Sequence, residues 1–387
     1  MSIRLNDVLF YAGGECLERF GVPVWSFNRR QRAGPVFTRA SVGQSFDRDG
    51  VLRISSADRQ RIEWVDDEPM ILVESARTNV VLWSRDLTNA AWTKTNCTAA
   101  KDQTGIDGVA SSASKITASA GNATCLQAIT LASSARYQSC YVKRVTGSGT
   151  INMTMDNGST WTAVTVTSAW TRVTIPTQTL ANPTVGFRIV TNGDAIAIDF
   201  VQNENGAAAA TSPIATTTVA VTRAADMWYA PIAFSPQELT VYVRFDERGT
   251  ADISVAALFI IGNSNGNPNM LAAYASGTPG RYVVEYATAV TSSAATLPFE
   301  AEIDPGESGE LRVAVSATGI ATIGISVEGA AEVTEVSVTP AGIPAAWALQ
   351  RLYLGSIGAT NHGVNPIASI LVVAGTRTMA EMREVFA

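Results

Sequence analysis

Helical periodicity is nearly absent from this 387-residue chain, which constrains its fold more than any other feature. Short runs rich in β-branched and aromatic residues recur at a spacing of roughly 8–15 residues, with turn signals between them, as in antiparallel sandwiches. In the middle of the chain these runs are Gln138–Val145, Ile151–Met155, Trp161–Val166, Thr171–Ile175, Thr184–Val190 and Ala195–Val201. Between them stand Gly147-Ser148-Gly149, Asn157-Gly158-Ser159, Asn182-Pro183 and Asn192-Gly193-Asp194. Asn-Gly pairs adopt the positive φ that tight hairpins require. A second series covers Leu239–Asp246, Ala256–Gly262, Arg281–Tyr286, Leu311–Ser316, Ile320–Val327, Leu352–Ser356 and Ala368–Val373. The exception is a C-terminal helix expected over Met379–Phe386, where Thr378 and Glu381 have capping-box spacing.

The expectation is therefore an all-β protein of two tandem antiparallel β-sandwiches of jelly-roll type, preceded by a charged N-terminal anchoring segment. The three parts are residues 1–77, 78–222 and 223–387. The low-complexity stretch Gly206–Thr218 reads as the boundary between the sandwiches. No 20–50-residue repeat is visible, which disfavours a solenoid. Residues 1–77 alternate charge with scattered aromatics (Phe10, Tyr11, Phe20, Trp25, Phe27), which suits packing against other chains. A small independent domain is the other reading of that segment.

Charge excludes one class of partner. The net charge is −6, and charged residues make up 16% of the chain. Residues 1–77 hold eleven basic and eleven acidic residues, 78–222 nine and seven, and 223–387 eight and sixteen. Nucleic-acid affinity rests on clustered cations, and none of these parts offers a basic surface. No stretch reaches the roughly 18 apolar residues of a membrane span, so membrane insertion is not expected. The N-terminus lacks the apolar core of a signal peptide, so synthesis in the cytoplasm and release by cell lysis are expected. Cys16, Cys97, Cys125 and Cys140 fit neither a zinc motif nor a disulfide framework.

Four strings carry a family resemblance. Ile71-Leu72-Val73-Glu74-Ser75-Ala76-Arg77-Thr78-Asn79 leads into Leu82–Leu87 and Asn89–Lys94. Then come Tyr137–Lys143, Ala169-Trp170-Thr171-Arg172-Val173 and Pro213–Asp226 (PIATTTVAVTRAAD). In order and spacing this set resembles the carbohydrate-binding-module-like jelly roll of bacteriophage tail-fibre and head-spike proteins. The last third is similar to the concanavalin A-like (laminin-G-type) sandwich that follows it, through Phe234–Val243, Arg351–Ser356, Ile370 and the terminal helix. The resemblance implies a virion surface protein that attaches to the capsid or tail through residues 1–77 and recognises host cell-surface glycan with its sandwiches. It also implies a homo-oligomer, commonly a trimer. The alternative is a purely structural capsid or tail decoration protein with no sugar affinity.

The catalytic inventory is thin, and no enzyme is expected. The chain has one histidine, His362, in an Asn-His-Gly turn, and no G-x-S-x-G elbow. Glu302, Asp304 and Glu307 have the carboxylate spacing of some concanavalin-like glycosidases, but Pro305-Gly306 is a turn dipeptide that interrupts a strand. Sugar binding instead needs aromatic faces beside amides and carboxylates. Tyr137 and Tyr141 share one strand face by the period-2 rule. Trp92 and Trp170 belong to framework strings and read as core. Trp161 follows the polar turn Asp156-Asn157-Gly158 and is the best ligand-facing aromatic, with Asp156 and Asn157 beside it. No metal or cofactor is required. Calcium remains open only at the amide-rich loop Asn263–Asn269, which a solvated hairpin tip explains equally.

Overall fold

The computed structural model describes residues 8–13, 36–206, 209–234, 238–247, 256–262, 270–275, 282–287, 297–298, 303–304, 307–316, 320–327, 330–331, 333–338, 349–357, 361–362 and 366–383. The loop Asn263–Asn269 and Glu302 lie outside them. The protein is all-β, built of antiparallel sheets. Its one described helix is Met379–Arg383. The helix starts at the expected cap: the Thr378 N–H donates to Glu381 Oε2 at 2.8 Å and the Glu381 N–H to Thr378 Oγ1 at 3.2 Å. All the strands expected from the two series are present, and His362 lies in a two-residue strand paired with Ser356–Ile357.

The chain divides into two compact units, one of residues 1–40, 55–75 and 225–387 and the other of 41–54 and 76–224. This division differs from the three parts read in the sequence. Val8–Gly13, Arg61–Val65 and Glu68–Leu72 are strands of one sheet of the first unit, and Val36–Thr38 is an edge strand of its other sheet. The described part of residues 1–77 is thus divided between the units and built into their sheets. The physical reason is visible in the burial pattern: Met70, Ile71, Leu72 and Val73 are all 1–2% exposed. A run apolar on both faces needs neighbours on both faces.

The first unit is a sandwich. One sheet contains Leu239–Asp246, Ser308–Val315, Ile320–Val327 and Ile367–Ala374, and the other contains Met227–Phe234, Ala256–Gly262 and Leu349–Leu354. Val241, Val243, Leu311, Val313, Ile323 and Ile370 meet Trp228, Phe259, Ile261, Leu352 and Leu354 in the core between them. The intervening positions Tyr242 and Glu310 lie on the opposite face, where Arg383 of the helix donates to Glu310 Oε2 from Nε at 2.9 Å and Tyr242 donates to the same carboxylate. Met379 and Met382 are buried beside them.

This unit also explains two of the recurring strings. Glu74 and Asp226 form one buried ionic group with Arg39 and Arg61. Arg61 Nη1 donates to Glu74 Oε2 at 2.6 Å, Arg39 Nη1 donates to Asp226 Oδ1 at 3.0 Å, and Arg61 Nη2 donates to the other Asp226 oxygen. The Glu74 N–H donates to Asp226 Oδ2 at 2.9 Å, and the Asp226 N–H donates to the Glu74 carbonyl, also at 2.9 Å. Two guanidinium groups thus face two carboxylates inside the fold.

The second unit is a jelly-roll-type sandwich. Its larger sheet orders Thr171–Leu180, Ser134–Thr146, Ala195–Asn205, Ala113–Ala118 and Cys97–Gln103, with Arg77–Asn79 and Val221–Arg223 joined at the Ala195–Asn205 strand. The smaller sheet orders Thr162–Val164, Ile151–Thr154, Thr184–Ile189, Ala123–Ala128 and Thr93–Thr95. Trp92, Cys125, Cys140, Met153, Phe187 and Ile198 pack between them. Cys97, Cys125 and Cys140 are free thiols, and burial holds Cys125 up at about 12. The stretch expected as a boundary is instead packed down: Thr211, Ser212, Ile214 and Thr216 are buried. Glu204 accepts the Thr211 N–H at 3.1 Å and Gln202 Oε1 accepts the Ile214 N–H at 2.7 Å. Low complexity there reflects small side chains that fit closely against a sheet.

Candidate functional site

The two outer faces of the second unit differ in what covers them. On the larger sheet, Phe200 and Tyr141 are buried under Leu52, Phe46, Ile106 and Trp170, and Gln202 and Glu204 lie under the Thr211–Ile214 strap. A bulge at Phe200, whose φ is +46°, turns its ring to this side, and Arg85 lies 4.1 Å from its centroid. Arg85 in turn donates to Asp199 Oδ1 at 2.7 Å.

The outer face of the smaller sheet is covered in part: Asn152 and Thr154 are buried, and Thr124, Leu126 and Arg188 are half-buried. Reading across its five strands, the register aligns Ala163, Asn152, Arg188, Thr124 and Thr95 on one face. The next outward row is Thr154, Gly186, Leu126 and Thr93. Apart from Leu126 these are small or polar residues, and Thr93, Thr95 and Ala163 are exposed. Inward positions between the rows, Met153, Phe187 and Cys125, belong to the core. The alternation follows from the period of a strand.

Trp161 overhangs this face at the end of the Met155–Trp161 loop. The loop turns at Asn157 and Gly158, with φ of +60° and +78°. This is the left-handed pair the sequence Asn-Gly supplies. Asp156 organises it, accepting the Thr160 N–H at 2.9 Å and the Thr154 hydroxyl at 2.8 Å. Partial burial works against ionisation of Asp156, but the Thr160 N–H and Thr154 hydroxyl outweigh it. The carboxyl is therefore held below its ordinary range and is charged at neutral pH. The indole lies against Gly158, where an added Cβ would come within 2.7 Å of Trp161 Cζ2. Arg188 lies over the ring at 4.6 Å from its centroid and donates from Nε and Nη2 to Asn152 Oδ1 at 3.3 and 3.1 Å. The result is a half-buried indole with a stacked guanidinium, an amide and a carboxylate within one turn and two strands.

Of the residues singled out in the sequence, Asp156, Asn157 and Trp161 come together here. Tyr137 and Tyr141 lie on the other sheet. Tyr141 is 7% exposed, its ring 5.7 Å from Phe46, so it is packed and offers no platform. Tyr137 is half-buried beside Glu204. Trp92 is core, and Trp170 packs against the Tyr141 cluster with Lys143 4.8 Å from its centroid. Arg188 and Asn152 were not singled out. Their only sequence signal is a polar residue at an outward position of each run, and pairing across 36 positions of chain is invisible to it.

The carboxylates of Glu302–Glu307 do not form a described cleft. Ile303 is core, Asp304 is exposed, and the Glu307 N–H donates to the Asp304 carbonyl at 3.0 Å. Glu307 Oε2 accepts the Asp304 N–H, also at 3.0 Å, closing a turn on itself. Among the described residues no three His, Cys, Asp or Glu side chains gather as a metal site. No described helix is long and apolar enough to cross a membrane.

No family model matches the chain, and no curated protein matches it. Solved structures align with parts of it. A carbohydrate-binding module of a Ruminococcus gnavus sialidase, bound to α2,3-sialyllactose, is 13% identical, with a TM-score of 0.31 over 39% of this chain and 83% of that one. Lectin II from Ulex europaeus is 10% identical, with a TM-score of 0.27 over 39% of this chain and 81% of that one. A carbohydrate esterase of the Shiga toxin-encoding bacteriophage phi24B is 11% identical, with a TM-score of 0.21 over 77% of this chain and 100% of that one.

Proposed function

We propose that this chain is a glycan-binding, non-hydrolysing surface protein of a bacteriophage particle, and that it holds host polysaccharide on the outer face of the smaller sheet. The observation that carries the binding site is the Trp161, Arg188 and Asn152 group on the row of small residues. An aromatic ring covers the C–H face of a sugar, and planar amides and guanidinium groups match pairs of hydroxyls. Exposed Thr93, Thr95 and Ala163 continue the same face beyond that group. The phage assignment is supported by the recurring strings over residues 71–226. Anchoring to the particle is assigned to residues 1–77, whose described strands Val8–Gly13, Val36–Thr38, Arg61–Val65 and Glu68–Leu72 are also part of the sheets.

The test is binding of the full chain to host envelope polysaccharide, by calorimetry or on a glycan array. Trp161→Ala is expected to weaken binding at least about tenfold, the scale of one stacking aromatic, with the thermal midpoint nearly unchanged because the ring lies outside the core. Tyr141→Phe is expected to leave affinity unchanged. No binding by the wild-type chain to any host polysaccharide would instead support a purely structural decoration protein.

A further inference from the structure

The charge around Trp161 is unbalanced in one respect. Several cations of the second unit have an anionic partner in the fold: Arg53 with Asp47, Arg85 with Asp107 and Asp199, Lys101 with Asp86, Lys115 with Asp102, and Arg144 with Asp194. Arg136 donates to the Leu180 and Ala132 carbonyls and Arg172 to Ser139 Oγ and the Thr211 carbonyl. Lys94 is satisfied by three carbonyls. Arg188 has no carboxylate partner among the described residues, although it is half-buried and held in place. Its Nε and Nη2 both donate to one oxygen, Asn152 Oδ1. A guanidinium carries five N–H donors in a planar fork. Two hydrogen bonds along one side leave the end edge, Nη1 and the outer hydrogen of Nη2, without an acceptor among the described residues.

That edge is fixed before any ligand arrives. Asn152 is 5% exposed and cannot swing away, and the indole lies under the guanidinium plane. A planar, ring-stacked guanidinium is weakly hydrated and pairs with a carboxylate through two parallel hydrogen bonds. Asp156, the only acidic residue of the Met155–Trp161 loop, is engaged by Thr160 and Thr154.

Resting on the glycan reading above, we infer that the ligand is an acidic polysaccharide, and that Arg188 pairs with the carboxylate of a uronic or nonulosonic sugar while Trp161 backs the contact. Arg188 is the specificity-determining residue, and Asn152 positions it. Neighbouring neutral sugars lie along the Thr124 and Thr95 row.

The test uses the full chain on surfaces bearing polygalacturonate or polysialic acid, with dextran as the neutral control and host envelope polysaccharide as reference. At least one acidic polymer is expected to bind about tenfold or more tightly than dextran. Raising salt from about 0.05 to 0.5 M should weaken that binding, because charge pairing at a half-exposed site is screened. Arg188→Gln is expected to lose at least about tenfold on the acidic polymer, and Arg188→Lys to recover part of it, since charge returns without the fork. Lys143→Gln, a cation stacked on Trp170 of the other sheet, is expected to change nothing. Dextran bound as tightly as the acidic polymers, an unchanged Arg188→Gln, or an equal loss in Lys143→Gln would each overturn the inference and leave the glycan reading standing. Loss of binding to every polymer, the host polysaccharide included, removes both.

Discussion

Replacing Asp226 by alanine is expected to lower the thermal midpoint of the first unit by on the order of 10 °C. Asp226 is 0% exposed and each of its oxygens takes a guanidinium, Arg39 on one side and Arg61 on the other. Removing it takes the Asp226 carboxylate away from two buried guanidinium groups, Arg39 and Arg61. Breaking a buried pair by deleting one partner costs about 3–5 kcal/mol, because the partner stays desolvated without its counter-charge. In a unit of this size each kcal/mol moves the midpoint by roughly 2–4 °C. Asp226 also accepts the Glu74 N–H, so the substitution frees a buried backbone donor as well. Asp226→Asn keeps the shape and much of the hydrogen bonding, and should lose less than alanine. Calorimetry of the full chain follows the transition. A fall of less than about 2 °C in Asp226→Ala, below the shift from one kcal/mol, would show that the pairing adds little.

The same cluster marks where sequence reading stopped. Glu74 and Asp226 stand in two strings that carry the phage resemblance, 152 positions apart, and nothing in either string says that they meet. Arg77–Asn79 and Val221–Arg223, from the same two strings, pair as strands in the second unit. The strings are therefore the structural signature of a fold that closes its ends on each other, and they carry no ligand chemistry that the structure describes. The strand series was legible because alternation and Asn-Gly turns are local properties. The strands Cys97–Gln103, Ala113–Ala118 and Ala123–Ala128 were not, because Ala, Thr and Ser dilute the apolar signal of a half-buried strand. Gly206–Thr218 misled in the opposite sense, since small residues mark close packing as readily as a linker. At the candidate site the turn Asp156-Asn157-Gly158 and Trp161 were readable. Arg188 and Asn152 required the register.

That register makes Gly186 the most sensitive position near the site. Its φ is +152°, a conformation L side chains rarely adopt, and a Cβ built there would lie 2.1 Å from the carbonyl oxygen of Cys125. The obstacle is backbone of the adjacent strand, so no rotamer change relieves it. Gly186 pairs with Leu126 on one side and Thr154 on the other, at the centre of the five-stranded sheet. Gly186→Ala must therefore push apart Ala123–Ala128 and Thr184–Ile189, lengthening ladder hydrogen bonds on the strand that carries Phe187 in the core and Arg188 on the face. Overpacking of this kind costs roughly 1–3 kcal/mol, and the strained φ adds another 1–3 kcal/mol. The expected result is a loss of about 3 kcal/mol or more in urea unfolding of the second unit, accompanied by weaker glycan binding as Arg188 shifts from Asn152 and Trp161. Gly193→Ala is the control for backbone conformation alone: its φ is +83°, but no atom lies within 4 Å of the new Cβ. It should cost only about 1–2 kcal/mol, the αL penalty, and leave binding intact. Equal losses in the two variants would mean that conformation, and not the Cys125 carbonyl, sets the requirement at Gly186. If Gly186→Ala binds glycan at full affinity, the site does not depend on the geometry of this strand.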